Sequence, residues 1–95
     1  MISNVIPPHA DQDQLAQIEK IIREIWMELL HVEDLDVEDN FFKLGGQSLM
    51  VTRIQQRVWD RFAVNLPFLA IFRYQTIREL AQVIRGLQPH TKADL

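Results

Sequence analysis

Near the middle of this 95-residue chain, two glycines, an amide and a serine stand together as Gly45-Gly46-Gln47-Ser48. Phe41, Phe42 and Leu44 precede them and Leu49 follows. A serine hydroxyl becomes a nucleophile once a base removes its proton. Adjacent glycines allow backbone angles that other residues resist, and they let another molecule approach the main chain closely. The position also suits phosphate. If Ser48 opens a helix, free backbone N–H groups and the positive end of the helix dipole would support a phosphate carried on its oxygen. A serine at a helix start is more often an ordinary cap, and Gly-Gly more often an ordinary turn. Spacing alone leaves both readings open.

Two sharper chemistries fail on spacing. A serine hydrolase needs G-x-S-x-G between a strand and a helix, whereas Gly46-Gln47-Ser48-Leu49-Met50 lacks the final glycine and follows no strand. The histidines are His9, His31 and His90, two of them near the ends of the chain, so no base is placed. Asp34, Asp36 and Glu38 alternate in a way that invites calcium. An EF-hand loop wants Gly sixth and Glu twelfth, and those positions are Asp39 and Gly45. No metal site is expected.

The elements that must position Ser48 follow from periodicity. Residues 1–10, with Pro7-Pro8, read as a linker. Asp11 and Gln14 have capping-box spacing. Leu15, Ile18, Ile22, Ile25 and Leu29 then recur every three or four residues, which predicts a first helix from about residue 12 to 30. A second helix is predicted from Ser48 to Phe62, with Val51, Ile54, Val58 and Phe62 inward and Leu49 anchoring its first turn in the core. Arg53, Arg57 and Arg61 repeat on another face. Pro67 to Tyr74 should form a turn or two of helix burying Phe68, Leu69, Ile71 and Phe72. Thr76 and Glu79 form a capping box for a last helix, which Gly86 should end in a left-handed conformation before Pro89. The domain is thus expected at 11–86, with 87–95 as a tail or linker. Linker-like ends favour a module cut from a longer assembly, and the excised domain is expected to be monomeric.

The connection from His31 to Gln47 is long for a compact bundle, and such loops are usually functional or disordered. Val32, Leu35, Val37, Phe41, Phe42 and Leu44 would pin it, which argues for function.

Composition bounds the partners. The chain is 47% hydrophobic with no cysteine, which removes disulfides, zinc thiolates and a cysteine nucleophile. No apolar run approaches the ~18 residues needed to span a bilayer, and residues 1–10 do not resemble a secretory signal. Membrane partners are not expected, and a cytoplasmic location is. The net charge of −3 conceals a split. Five of the thirteen acids lie between Glu33 and Asp39, leaving the rest slightly basic. A small helical DNA-binding domain could use the arginine face of the second helix. The acidic balance and the long preceding loop weigh against it, so no nucleic-acid partner is expected. A passive interaction module, with Ser48 as a plain cap, is a third reading.

The run Asp39-Asn40-Phe41-Phe42-Lys43-Leu44-Gly45-Gly46-Gln47-Ser48-Leu49 resembles the motif D-x-F-F-x-L-G-G-x-S-L. That motif marks the thiolation domains, or peptidyl carrier proteins, of nonribosomal peptide synthetases. The similarity continues through Thr52-Arg53, Phe62 to Pro67, Phe72 and Thr76-Ile77, spanning about residues 12 to 85. It implies an all-α four-helix bundle of acyl-carrier type, with a short third helix. It also implies a carrier module without catalytic residues of its own. Ser48 would take 4′-phosphopantetheine from coenzyme A through a phosphopantetheinyl transferase. Gly45, Gly46, Gln47 and Leu49 would shape the attachment site.

The missing cysteine gains a meaning here, because the arm would supply the thiol that holds aminoacyl, peptidyl or other acyl groups as thioesters. Adenylation, condensation, thioesterase or ketosynthase-type domains would be the partners. Met50, Arg53, Arg57, Phe68 and Phe72 are the candidate partner interface, with core packing the alternative for both phenylalanines. Gln47 departs from the family, where His or Asp is usual and tracks the downstream partner. Fatty-acid and many polyketide carriers have an acidic second helix. The arginines here favour the peptidyl type, with a hybrid peptide–polyketide line included, over a polyketide-type acyl carrier.

Overall fold

A computed structural model describes residues 8–88, with side chains from Gln12 onward. Four helices follow in order: α1 Pro8–Leu30, α2 Ser48–Phe62, α3 Ala70–Arg73 and α4 Ile77–Leu87. Among the described residues there is no strand, only an isolated bridge between Asn40 and Thr76. The four-helix architecture with a short third helix is therefore as the sequence predicts. Residues 1–7 and 89–95, most of the expected linker and tail, lie outside the described residues.

The apolar stripe of α1 buries Ile18, Ile22, Ile25, Trp26 and Leu29. It lies along α4, whose Ile77, Leu80, Ala81 and Ile84 recur at helical spacing on the facing side. Gln14 near the start of α1 meets Gln88 just past α4 at 3.2 Å, so the two helices run antiparallel. Val51, Ile54 and Val58 of α2 close the core as predicted.

Several expectations need correction. α1 begins at Pro8, upstream of Asp11, because proline fits a first helical turn where its missing N–H is not needed. Gly86 lies inside α4, and the only glycine with positive φ is Gly45. The helix runs to Leu87, and Gln88 turns extended at φ −65°, ψ 139°. The residue before a proline avoids helical angles, so Pro89 rather than Gly86 sets this end. Leu49 is 81% exposed and anchors nothing in the core. Leu69 is 72% exposed and Phe68 is also exposed, so of the α3 segment only Ala70 and Ile71 are buried. Phe62, the last residue of its stripe, is half-buried. The Thr76 cap forms as expected, its hydroxyl accepting from the Glu79 amide at 3.1 Å.

The long α1–α2 loop is held at both edges. Phe41 N–H donates to the Gln75 carbonyl at 2.8 Å, and the Arg78 amide donates to the Val37 carbonyl at 3.0 Å. The Asn40 side chain donates to Gln75 Oε1 at 2.8 Å. Its acids do local work: Asp36 and Asp39 accept backbone amides within the turn, while Asp34 pairs with Arg23 at 2.8 Å and Glu38 pairs with Arg78. What reads in sequence as an acidic patch is in large part the set of acceptors that folds the loop.

Candidate functional site

Ser48 is the first residue of α2 and is exposed. Its N-cap is Gln47, extended at φ −124°, ψ 157°, whose side chain makes no capping bond. Neither the Ser48 hydroxyl nor the Ser48 and Leu49 amides have a hydrogen-bond partner among the described residues. The plain-cap reading of Ser48 therefore fails on geometry. An N-cap serine would spend its oxygen on its own helix; this one is free, beside unpaired donors at the positive end of a fifteen-residue helix. A phosphoryl group esterified there meets the charge it needs, so the residues present fit a phosphate-linked arm.

The approach to Ser48 rests on two glycines that do different things. Gly45 has φ +101° with open space around it, so backbone conformation alone demands glycine. Gly46 has no such φ; a Cβ there would lie 2.2 Å from Cε2 of Phe41. Its missing side chain makes room for a ring of its own chain, and not for an approaching molecule as the sequence suggests. Gly46 N–H also donates to the Phe41 carbonyl at 3.0 Å. Phe41 is fully buried, 5.0 Å from the Trp26 ring centroid and 5.1 Å from that of Phe42. Phe42 stacks on Phe72 at 5.2 Å, and Phe72 meets Phe68 at 5.4 Å. Five aromatic rings thus run from the centre of the core, under the glycine loop, to the surface at α3. They make the floor that fixes where α2 begins.

Of the sequence-predicted residues, Gly45, Gly46, Gln47, Ser48 and Leu49 sit together in the chain at this helix start, with Leu49 projecting outward beside Ser48. Met50 packs partly against the core. Phe72 does so too, while Phe68 keeps an exposed face. Arg53 is exposed with no partner among the described residues. Arg57 is turned onto α1, paired with Glu28, and Arg61 lies 3.9 Å from Glu24. α2 therefore does not present three free cations, which removes the feature that favoured DNA. Sequence reasoning passes over Trp59, which is 52% exposed on α2. Among the described residues no group of side chains is arranged to hold a metal, and no helix is long and apolar enough to cross a membrane.

Comparison with known proteins bears on this geometry. The sequence model of the family described as "Phosphopantetheine attachment site" matches residues 20–84. A linear gramicidin synthase chain of Brevibacillus parabrevis is 43% identical over 77 residues, covering 81% of this chain. The chain spans 2% of the length of that relative. In a solved complex of the phosphopantetheine transferase Sfp with coenzyme A and a peptidyl carrier protein, the match is 33% identical with a TM-score of 0.71. It covers 73% of this chain and 90% of the other. BlmI, an acyl carrier protein from Streptomyces verticillus, superposes with a TM-score of 0.80 at 21% identity, covering 84% of this chain and 96% of that one, and so shares the fold.

Proposed function

The chain belongs to the phosphopantetheine attachment-site family, and from that premise we propose that Ser48 is the residue to which 4′-phosphopantetheine is joined. The observation that carries this is the Ser48 hydroxyl: exposed, without a hydrogen bond among the described residues, and set among amides that likewise have no partner there, at the start of α2. When bound, the arm supplies a thiol that holds an acyl group as a thioester. In the attachment step Ser48 Oγ forms a bond to the β-phosphorus of coenzyme A, the bridging P–O bond breaks, and adenosine 3′,5′-bisphosphate leaves. The hydroxyl proton passes to a base on the transferase, because among the described residues no base makes a hydrogen bond to Ser48.

What the chain itself does is position and present. The aromatic floor fixes the first turn of α2, Gly45 and Gly46 let the loop turn beneath it, and the amides of Ser48 and Leu49 face the phosphoryl charge. We assign the domain as a non-catalytic carrier of aminoacyl or peptidyl groups in a cytoplasmic nonribosomal peptide synthetase. The similarity to gramicidin synthase and to a carrier bound by a transferase supports that setting. Adenylation and condensation domains are then its partners, and the exposed Leu49 and Phe68 the apolar contacts offered to them. Tethering replaces bimolecular encounter with a high local concentration.

The test is a mass measurement. Incubated with coenzyme A, magnesium and a broad-specificity transferase, the wild type should gain one phosphopantetheinyl group and Ser48→Ala none. Ser48→Ala breaks no hydrogen bond within the described residues, so its urea midpoint should match wild type. An unmodified wild type overturns the assignment.

A further inference from the structure

Trp59 stands half exposed on α2 and makes no ring contact among the described residues. Leu49 is also exposed on this helix, beside Ser48, but a large aromatic left half in water farther along needs its own reason, since Trp is where contact energy concentrates. Its position relative to Ser48 supplies one. Trp59 is eleven residues on along the same helix, which at 3.6 residues per turn returns it to within about 20° of the Ser48 face and about 16 Å along the axis. Gln55, nearest the line between them, gives its amide to the Leu66 carbonyl; flanking that line are Thr52, at about 6 Å and 40°, and Gln56, at about 12 Å and 80°. Both are exposed, and the Gln56 amide has no partner among the described residues.

A phosphopantetheine arm on Ser48 has a matching order of groups. From Oγ to sulfur it counts about fourteen bonds, or about 16 Å extended at the ~3.5 Å per three bonds of a peptide chain. Its two amide carbonyls fall at about 7 Å and about 12 Å on the same scale. Laid along α2, the amides come level with Thr52 and Gln56, and the thioester end comes level with Trp59. Side chains on a helix lean toward its N-terminus, so the indole sits beneath the sulfur rather than beyond its reach.

We propose that the arm rests along this face of α2, and that Trp59 is the docking surface for the apolar part of the tethered acyl group between visits to partner domains. This rests on Ser48 as the attachment point. The contact is intramolecular, so a single ring is enough to populate it, and weak enough for a partner to take the acyl group away. The polar stretch between Ser48 and Trp59 suits the amides, and the one large apolar ring stands where the arm becomes apolar.

The experiment compares three forms of the full chain: unmodified, loaded from coenzyme A, and loaded from phenylacetyl-coenzyme A, each verified by mass. Acrylamide quenching of tryptophan emission reads Trp59 selectively, because Trp26 is fully buried. Phenylacetyl loading should reduce the quenching constant by about two- to threefold, and coenzyme A loading by less. In 15N–1H spectra the Trp59 indole N–H and the Gln56 side-chain amide should shift on loading while the Trp26 indole stays. In Trp59→Ala, loaded equally by mass, the Gln56 shift should disappear. A verified phenylacetyl form whose quenching constant and Trp59 resonance equal those of the unmodified protein overturns the docking proposal alone. A wild type that gains no mass overturns the attachment assignment and the docking with it.

Discussion

Gly46 gives the most direct test of how the site is built. A Cβ added there would lie 2.2, 2.4 and 2.7 Å from three atoms of the Phe41 ring, where ordinary carbon contacts are about 3.5–4.0 Å. The ring must therefore retreat by more than an ångström or the loop must lift. Neither is easy. Phe41 has no exposed surface, and Trp26 and Phe42 stand at 5.0 and 5.1 Å behind and beside it. Overpacking a closed core costs about 1–3 kcal/mol, and with no free side to move into, Gly46→Ala should reach the upper end, about 3 kcal/mol. A domain of this size holds about 4–12 kcal/mol in total, so the variant should still fold but with a plainly lower urea midpoint.

The cause is separable from the size of the effect by a cycle with Phe41→Leu. Alone, Phe41→Leu should cost about 1–2 kcal/mol for the lost ring packing. Adding Gly46→Ala to it should then cost less than about 1 kcal/mol, a coupling of about 2 kcal/mol. Gly45→Ala is the control. Nothing lies within 4 Å of its Cβ, and its penalty arises from φ +101°, so it should cost about 1–2 kcal/mol whether or not the Phe41 ring is present. Urea unfolding followed by tryptophan emission suits all six proteins, because Trp26 touches the ring in question. Additivity of Gly46→Ala and Phe41→Leu within about 0.5 kcal/mol would refute the steric account of Gly46.

Two further outcomes follow from the same geometry. Leu49→Ser should leave the urea midpoint within about 0.5 kcal/mol of wild type, because Leu49 is 81% exposed. The same change should lower transfer to or from partner domains, as measured by acyl loading rate on the phosphopantetheinylated protein; a midpoint loss above about 1.5 kcal/mol would return Leu49 to the core. Ala63, which ends α2 at φ 55°, ψ 38° with its amide donating to the Trp59 carbonyl, holds a left-handed angle that glycine adopts without strain. Ala63→Gly should therefore stabilise the domain by about 0.5–1 kcal/mol in urea unfolding, and a destabilised variant would contradict that reading.

Much of this fold is legible from the chain because the signals are local and mutually consistent. α2 begins at Ser48 and ends at Phe62, as its apolar spacing requires, and the Thr76–Glu79 box sets the start of α4. The misplacements have identifiable physics. Gly86 reads as a helix terminator, yet glycine inside a helix costs only about 1 kcal/mol, and the angular restriction imposed by the following Pro89 decides the matter. Leu49 reads as a core residue because it is apolar and adjacent to the buried stripe. At 100° per residue it lies about 160° from Val51, on the opposite side of the helix. The periodicity holds that information, and residue type masks it. By the same arithmetic Trp59 lies about 80° from Val51, on the flank of the stripe, where periodicity leaves its exposure undecided. The reason for Gly46 is not readable from the chain, since it depends on a ring five residues earlier being held from behind by α1, a contact between distant parts of the sequence.

A serine that is to be modified by another protein sets two opposing demands. It must be held in one place, and it must be left without partners. Ordinary capping meets the first by sacrificing the second, because the hydroxyl that fixes the helix start is consumed in fixing it. Here the two tasks fall to different residues. Phe41, packed on Trp26 beneath Gly46, fixes where the helix begins from below. Gln47 takes the capping position without offering a side-chain bond, and Ser48 remains free above. Gly46 is the condition for that division: any side chain there would push the floor away from the loop it supports. On this reading the two glycines of the motif are not a flexible approach but a rigid one. The serine is exposed because the rest of the site is fixed from within.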